Sequence, residues 1–328
     1  MRILHLIIAI LFSILPQTLR AESPLKKASF IPQWSPQAQF AGYYVAYEKG
    51  FYSKQGIDLR IHMGGPNSPP LEFLEKGKAT FATQWLSTAI QKRSQGVKLI
   101  NIGQIIQRSA LMLVAKKSRG IHKPQDINGK KVSLWREEFQ IQPMAFLKKY
   151  NLNVKIVPQS YSVNLFLREG VDVASAMWYN EYHTILNAGI DPDELTTFFF
   201  HEHGLNFLED GIYTLENTFK KDPELCHAFV KASIEGWLYA FSHPDKALDI
   251  VMRYMSAAKT QADRVHQKWM LERMKDLILP RGDFDTPMGK LASSDFTLVA
   301  KELHKSGFIK KIPDVNSFYP KDFQYAKK

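Results

Sequence analysis

The sequence predicts an α/β protein whose two lobes face each other across a cleft. Three observations carry this expectation. Strand-like and helix-like segments alternate from Lys27 to Phe200; the chain turns helical from Asn217 onward; and tryptophans gather just after predicted strands. Alternation of this kind builds mostly parallel sheets covered by helices, and such sheets bind ligands beyond the carboxyl ends of their strands.

The elements follow in order. Lys27–Ile31 reads as a strand stopped by Pro32, and 41–49 as a helix closed by Gly50. Ile57–Ile61 alternates apolar and polar residues, the period of a strand with one buried face. A helix opens at Ser68 with Pro69 and Pro70 in its first turn and ends at Gly77, because proline lacks only a donor that the first turn leaves unused. A short strand at 79–83, a helix at 86–94 and apolar strand runs at 97–106 and 111–115 complete the first unit. A second unit alternates strands at 131–135, 154–157, 171–177 and 195–200 with helices at 142–150, 164–169 and 181–188. Asp222-Pro223-Glu224 then supplies an N-cap, a first-turn proline and a first-turn acid. The apolar stripe Leu225, Phe229, Val230, Ile234, Trp237, Leu238 and Phe241 has helical spacing, and helices follow at 247–255, 261–279 and 291–306. The chain is expected to form lobe 1 from residues 22–115 and 212–328 and lobe 2 from 116–211, leaving the first near Lys116 and returning near Asp210.

Composition narrows the function classes. The chain is 45% hydrophobic and 23% charged, the balance of an ordinary globular protein. Met1-Arg2 followed by a near-continuous apolar run from Ile3 to Leu15, a break at Pro16 and a small residue at Ala21 has the form of a cleaved secretory signal over residues 1–21. The lone Cys226 forms no internal disulfide, so an exported chain must rely on its core; within a helical stripe it reads as a small buried hydrophobe. The net charge of +11 is spread over scattered lysine pairs rather than a basic run, so nucleic acid is not expected as a partner.

The residues at the strand ends suggest the chemistry. Trp34, Trp85, Trp135 and Trp178 all follow predicted strands, with Gln84, Gln107, Tyr179, Asn180 and Glu181 beside them. Flat aromatic walls suit a flat ligand, and amides with a carboxylate can read a polar heterocycle edge. The simpler alternative is that each tryptophan is an ordinary core residue. His201-Glu202-His203 has two possible metal ligands but no evident third and fourth, and reads as a polar loop; no metal and no cofactor are expected. His62 reads as a surface residue at a strand end, and Asp283 and Asp285 as a solvated loop pair. Gly64-Gly65-Pro66 is a turn without the spacing of a phosphate loop, and neither a Gly-x-Ser-x-Gly nor a His-Glu-x-x-His motif occurs.

The run Gln33-Trp34-Ser35-Pro36-Gln37-Ala38-Gln39-Phe40-Ala41-Gly42-Tyr43-Tyr44-Val45-Ala46 with Glu48-Lys49-Gly50-Phe51-Tyr52 resembles the opening of the NMT1/THI5-like substrate-binding proteins. So do Asp126 to Val132, Ala176-Met177-Trp178-Tyr179-Asn180-Glu181 and Leu208-Glu209-Asp210-Gly211-Ile212-Tyr213. The resemblance implies a type II periplasmic binding protein fold that closes on its ligand, Phe40 and Asp210 as further ligand-binding candidates, and uptake through an ABC permease and its ATPase. It implies a periplasmic, non-catalytic, monomeric protein that captures a thiamine pyrimidine precursor of the formylaminopyrimidine or hydroxymethylpyrimidine type. Riboflavin binding and a periplasmic sensor subunit are the alternatives. The family also holds a thiamine pyrimidine synthase with a cysteine-rich iron motif; the matching place here, His203 to Leu208, has no cysteine, which argues against that activity.

Overall fold

The computed structural model describes residues 24–280 and 288–320. The expected signal over 1–21 and the Asp283/Asp285 pair lie outside them. The strands are β1 (Lys26–Ile31), β2 (Ile57–Ile61), β3 (Phe81–Gln84), β4 (Leu99–Gln104), β5 (Leu111–Lys116), β6 (Lys131–Leu134), β7 (Lys155–Pro158), β8 (Val173–Met177), β9 (Leu195–Phe199) and β10 (Gly211–Leu215). The helices are α1 (Ala41–Glu48), α2 (Phe51–Lys54), α3 (Pro70–Glu75), α4 (Leu86–Ser94), α5 (Ile141–Lys149), α6 (Asn164–Leu167) and α7 (Glu181–Asn187). They continue with α8 (Glu216–Lys221), α9 (Pro223–Ser242), α10 (Pro244–Ala257), α11 (Arg264–Ile278), α12 (Ser293–Lys305) and α13 (Val315–Phe318).

Two five-stranded sheets organise these elements, in the orders β2-β1-β3-β10-β4 and β7-β6-β8-β5-β9. In each sheet one strand opposes the others: β10 runs antiparallel to β3 and β4, and β5 antiparallel to β8 and β9. These are the strands by which the chain enters a lobe from the other. A connection that crosses at the cleft starts at the carboxyl ends of the parallel strands, so its strand must run away from the cleft.

β5 belongs wholly to the second sheet, so the chain leaves lobe 1 before Leu111 rather than near Lys116. β10 was not anticipated as a strand. Gly211–Leu215 is short, and its place in the sheet comes from pairing with β3 and β4, which lie over a hundred residues earlier in the chain.

The helical last third packs mainly on lobe 1. Phe229 of α9 stacks on Phe81 of β3 with ring centroids 4.1 Å apart. α1 and α9 approach so closely that a Cβ on Gly236 would stand 2.0 Å from the Gly42 carbonyl oxygen. This fixes α1, and with it the single turn Ala38–Phe40 that precedes it, against the sheet. Cys226 is fully buried on α9, as its place in the apolar stripe predicts, and burial pushes its thiol up to about 12. No helix among the described residues is long and apolar enough to cross a membrane.

Candidate functional site

A cavity of about 550 Å³ lies between the lobes at the carboxyl ends of β1, β3, β6 and β8. That size suits a small organic molecule. Lobe 1 contributes Gln33, Trp34, Gln37, Gln39 and Trp85; lobe 2 contributes Trp135, Arg136, Phe139, Gln159, Ser160, Tyr161, Met177, Tyr179, Asn180 and Glu181. The parallel strands end there because each crosses its sheet toward the cleft and then turns back into a helix or loop, which brings residues within a few positions of the strand ends to the gap.

The aromatic walls come from both lobes and meet across the gap. Trp85 caps α4 at the end of β3, and its ring lies edge-on to Phe139 of lobe 2, at 4.8 Å and 88°. Trp34 meets Tyr161 at 5.2 Å and 63°, and Tyr161 is 70% exposed at the mouth. Trp135 is fixed by its indole nitrogen, which donates to the Ser160 carbonyl at 3.0 Å. The Trp85 Nε1 is buried without a hydrogen-bond partner among the described residues, a donor that a ligand acceptor would satisfy.

The polar groups are ordered by neighbours. Glu181 opens α7 and is buried; its Oε2 accepts from the Met177 amide at 2.9 Å and its Oε1 from the Asn180 Nδ2 at 2.7 Å. Burial pushes its carboxyl up to about 7 against the pull of those donors. Tyr179, beside it, is pushed well above the usual phenol range by burial and by the nearby Asp210, Glu209 and Glu181. The Asn180 side-chain oxygen accepts from Nε2 of His266 on α11 at 2.9 Å, so a lobe 1 helix helps to set the lobe 2 wall. On the lobe 1 side, Asp210 accepts from the side-chain amides of Gln33 and Gln39, the latter at 2.8 Å. Burial pushes Asp210 to about 7 as well.

Six residues expected at the site from sequence line this cavity together: Trp34, Trp85, Trp135, Tyr179, Asn180 and Glu181. Four do not. Phe40 is fully buried in the core, because on the turn Ala38–Phe40 it is Gln39 that reaches the cavity. The Gln84 side chain turns back to accept from the Trp85 amide at 2.8 Å. Gln107 donates to the Gln104 and Lys290 carbonyls and ties down the first crossover. Asp210 sits one layer behind, holding Gln33 and Gln39. Trp178 also faces away, under the Arg273 guanidinium at 4.8 Å.

Sequence reasoning passed over Gln33, Gln37, Gln39, Arg136, Phe139, Gln159, Ser160, Tyr161 and Met177, which also line the cavity. The three glutamines flank Trp34 in the opening motif, so the signal was present in the same run. His201 and His203 are structural: His201 Nδ1 pairs with the Ser109 carbonyl at 2.9 Å, and His203 Nδ1 with the Tyr150 hydroxyl at 2.6 Å. His62 is half-buried rather than on the surface, edge-on to Phe73 at 5.7 Å.

The NMT1/THI5-like family profile matches residues 37–247. The chain belongs to this family. Its relatives include the riboflavin-binding protein RibY of Chloroflexus aurantiacus, 23% identical over 73% of this chain and 69% of that protein. The formylaminopyrimidine-binding protein of Halalkalibacterium halodurans is 20% identical over 86% of this chain and 88% of its own length. A 4-amino-5-hydroxymethyl-2-methylpyrimidine phosphate synthase of Legionella pneumophila is 26% identical over 73% and 78%. Among solved structures, the periplasmic aliphatic sulphonate binding protein SsuA of Escherichia coli superposes with a TM-score of 0.71 at 12% identity, covering 93% of this chain and all of that one. The fold of this NMT1/THI5-like chain is therefore that of the periplasmic binding proteins.

Proposed function

We propose that this protein captures a small planar nitrogen heterocycle, foremost a thiamine pyrimidine precursor, for an ABC importer, and that it does so as an exported monomer without turning the ligand over. The observation that carries the reading is the pairing, in one interlobe cavity, of aromatic walls with a buried carboxyl at Glu181. A carboxyl poised near neutrality is complementary to an aminopyrimidine edge: protonated, it donates to a ring nitrogen while its carbonyl oxygen accepts from the exocyclic amine. Neutral bonds of this kind contribute about 0.5–1.5 kcal/mol each. Stacking on the walls adds about 0.5–1.5 kcal/mol for each ring pair beyond area burial.

The names of the relatives in Halalkalibacterium and Legionella support a pyrimidine, and RibY supports riboflavin as the second reading. The relatives include a synthase, but the single cysteine of this chain is buried on α9, which leaves no cysteine motif at the cleft. Isothermal titration of the full chain with 4-amino-5-hydroxymethyl-2-methylpyrimidine, its formylaminopyrimidine relative and riboflavin tests the reading. Tight binding of a pyrimidine, recovered unchanged after long incubation, is the expected result. Binding of none of the three overturns the heterocycle assignment, and a transformed product overturns the non-catalytic one.

A further inference from the structure

The lobe 1 side of the cavity carries three glutamines whose amides could each present either a donor or an acceptor to a ligand. Asp210 removes that freedom. It is 3% exposed, sits behind the wall, and takes the Gln33 Nε2 on one carboxylate oxygen and the Gln39 Nε2 on the other, the second at 2.8 Å. In its ionised form Asp210 has only acceptors to offer, so both amides must turn their nitrogens inward to it. Gln39 then has its oxygen left, and that accepts from the Gln37 Nε2 at 2.5 Å. The order propagates from Asp210 through Gln39 to Gln37. Two side-chain oxygens on cavity-lining residues, Gln33 Oε1 and Gln37 Oε1, are left with no hydrogen-bond donor among the described residues, beside the second N–H of each amide.

We infer that Asp210 is a specificity-determining positioning residue, one that holds the Gln33 and Gln39 amides nitrogen-inward, leaves acceptor oxygens at Gln33 and Gln37, and so favours ligand edges that carry N–H donors at that place. The inference rests on the heterocycle reading above and narrows it. An exocyclic amine satisfies such a wall, whereas a carbonyl in the same place would face an oxygen. The cost of that mismatch is the reason hydrogen-bonding sites discriminate sharply between ligands of the same shape. Asp210 itself does not line the cavity, so it acts on the ligand only through the glutamines.

The test compares 4-amino-5-hydroxymethyl-2-methylpyrimidine with its 4-oxo counterpart, which replaces the amine by a carbonyl and leaves the ring size unchanged. Both are titrated calorimetrically at pH 8 into wild type, Asp210→Asn and Gln33→Met, with thermal melts to confirm folding. Asparagine brings an NH₂ to one of the two amide contacts, which lets one glutamine reverse and present its nitrogen to the cavity. The expected result is a wild-type preference for the amino ligand that falls about tenfold or more in Asp210→Asn, the worth of one misplaced hydrogen bond. Gln33→Met, which keeps Asp210 but deletes an acceptor, should lose part of the same preference. A purely structural role would lower both affinities together and leave their ratio alone. Wild-type binding with an unchanged ratio in both variants overturns the inference while leaving the heterocycle reading intact. Wild type that binds neither pyrimidine overturns both.

Discussion

In the proposed function Glu181 meets the edge of the ligand and Trp85 its face. Glu181→Gln keeps the shape but sets an NH₂ against either the Met177 amide or the Asn180 Nδ2, both donors, so the side chain can no longer be held by both. Affinity for an aminopyrimidine should fall about tenfold or more by calorimetry. Trp85→Ala should weaken pyrimidine and riboflavin alike, by about tenfold, because it removes wall rather than edge. The proton supplies a further check. With its carboxyl raised to about 7, Glu181 is mostly protonated below that pH in the free protein and loses its proton as pH rises through it. A ligand that binds the protonated form should therefore lose affinity as pH climbs from 7 to 9 and should take up a proton on binding at pH 8.5. Titration in buffers of different ionisation enthalpy reads this uptake, and Glu181→Gln should abolish it. Affinity that instead rises over that range would mean the ionised carboxylate is the binding form.

At the scale of elements, the contact between α7 and α11 links Glu181 to the helical last third. His183 of α7 stacks on Trp269 of α11 at 4.9 Å and 18°, and its Nδ1 faces the Nδ1 of His266 at 3.1 Å. His266 in turn holds Asn180, which holds Glu181. Two ring nitrogens in contact need one donor and one acceptor, so the pair tolerates neutral rings and opposes full protonation. Burial lowers both histidines below their ordinary value, for His266 with help from His183, while the carboxylate of Asp263 pulls each the other way. A lowered histidine contributes its stability above the unfolded value near 6.5 and loses it as pH falls below. Ligand affinity should accordingly fall on acidification below pH 6.5, although neither histidine lines the cavity. His266→Asn should flatten this acid limb; an unchanged limb would place the titration elsewhere.

Across the whole molecule, the two crossovers between lobes are bound side by side. Glu209 on the return crossover accepts from the Ser109 hydroxyl at 2.8 Å and the Ala110 amide at 2.9 Å on the outgoing one. It is buried, and burial pushes its carboxyl up to about 8, above its neighbours Asp210 and Glu181. All three raised carboxyls hold protons in the folded chain that the unfolded chain has already lost, so their contribution falls as pH rises through their folded values. The lowered histidines are neutral in both states above about pH 7 and do not offset this. The melting temperature should therefore drop between pH 7 and 8.5, and a rise over that range would contradict the placement of these carboxyls. Removing the tie altogether, Glu209→Ala, should cost about 1–3 kcal/mol by denaturant titration, because it leaves the Ala110 amide buried without a partner.

Periodicity and punctuation were enough to find nearly every helix and strand. Leu86–Ser94 and Ile57–Ile61 match their sequence bounds, because an apolar stripe, a closing glycine or a strict alternation is a local property. The aromatic half of the site was legible for a related reason: the loops just past parallel strands lie at the cleft, and Trp34, Trp85, Trp135 and Tyr179 on them line it, although Trp178 does not. Residue type alone did not separate a lining residue from its support. Gln39 and Phe40 are neighbours on one turn, and only the packing of that turn against the core sends the glutamine to the cavity and the phenylalanine inward. Asp210 looked like a ligand contact and stands behind Gln33 and Gln39, whose amides it orients across more than 170 residues of chain. The sequence by itself determined the elements, their alternation and which strand ends carry aromatic rings, since these follow from short-range pattern. Only the tertiary structure decided the membership of β5 and β10, the Trp85–Phe139 closure and the polar order behind the wall. Each of these depends on which distant segments meet, and neither propensity nor periodicity encodes that.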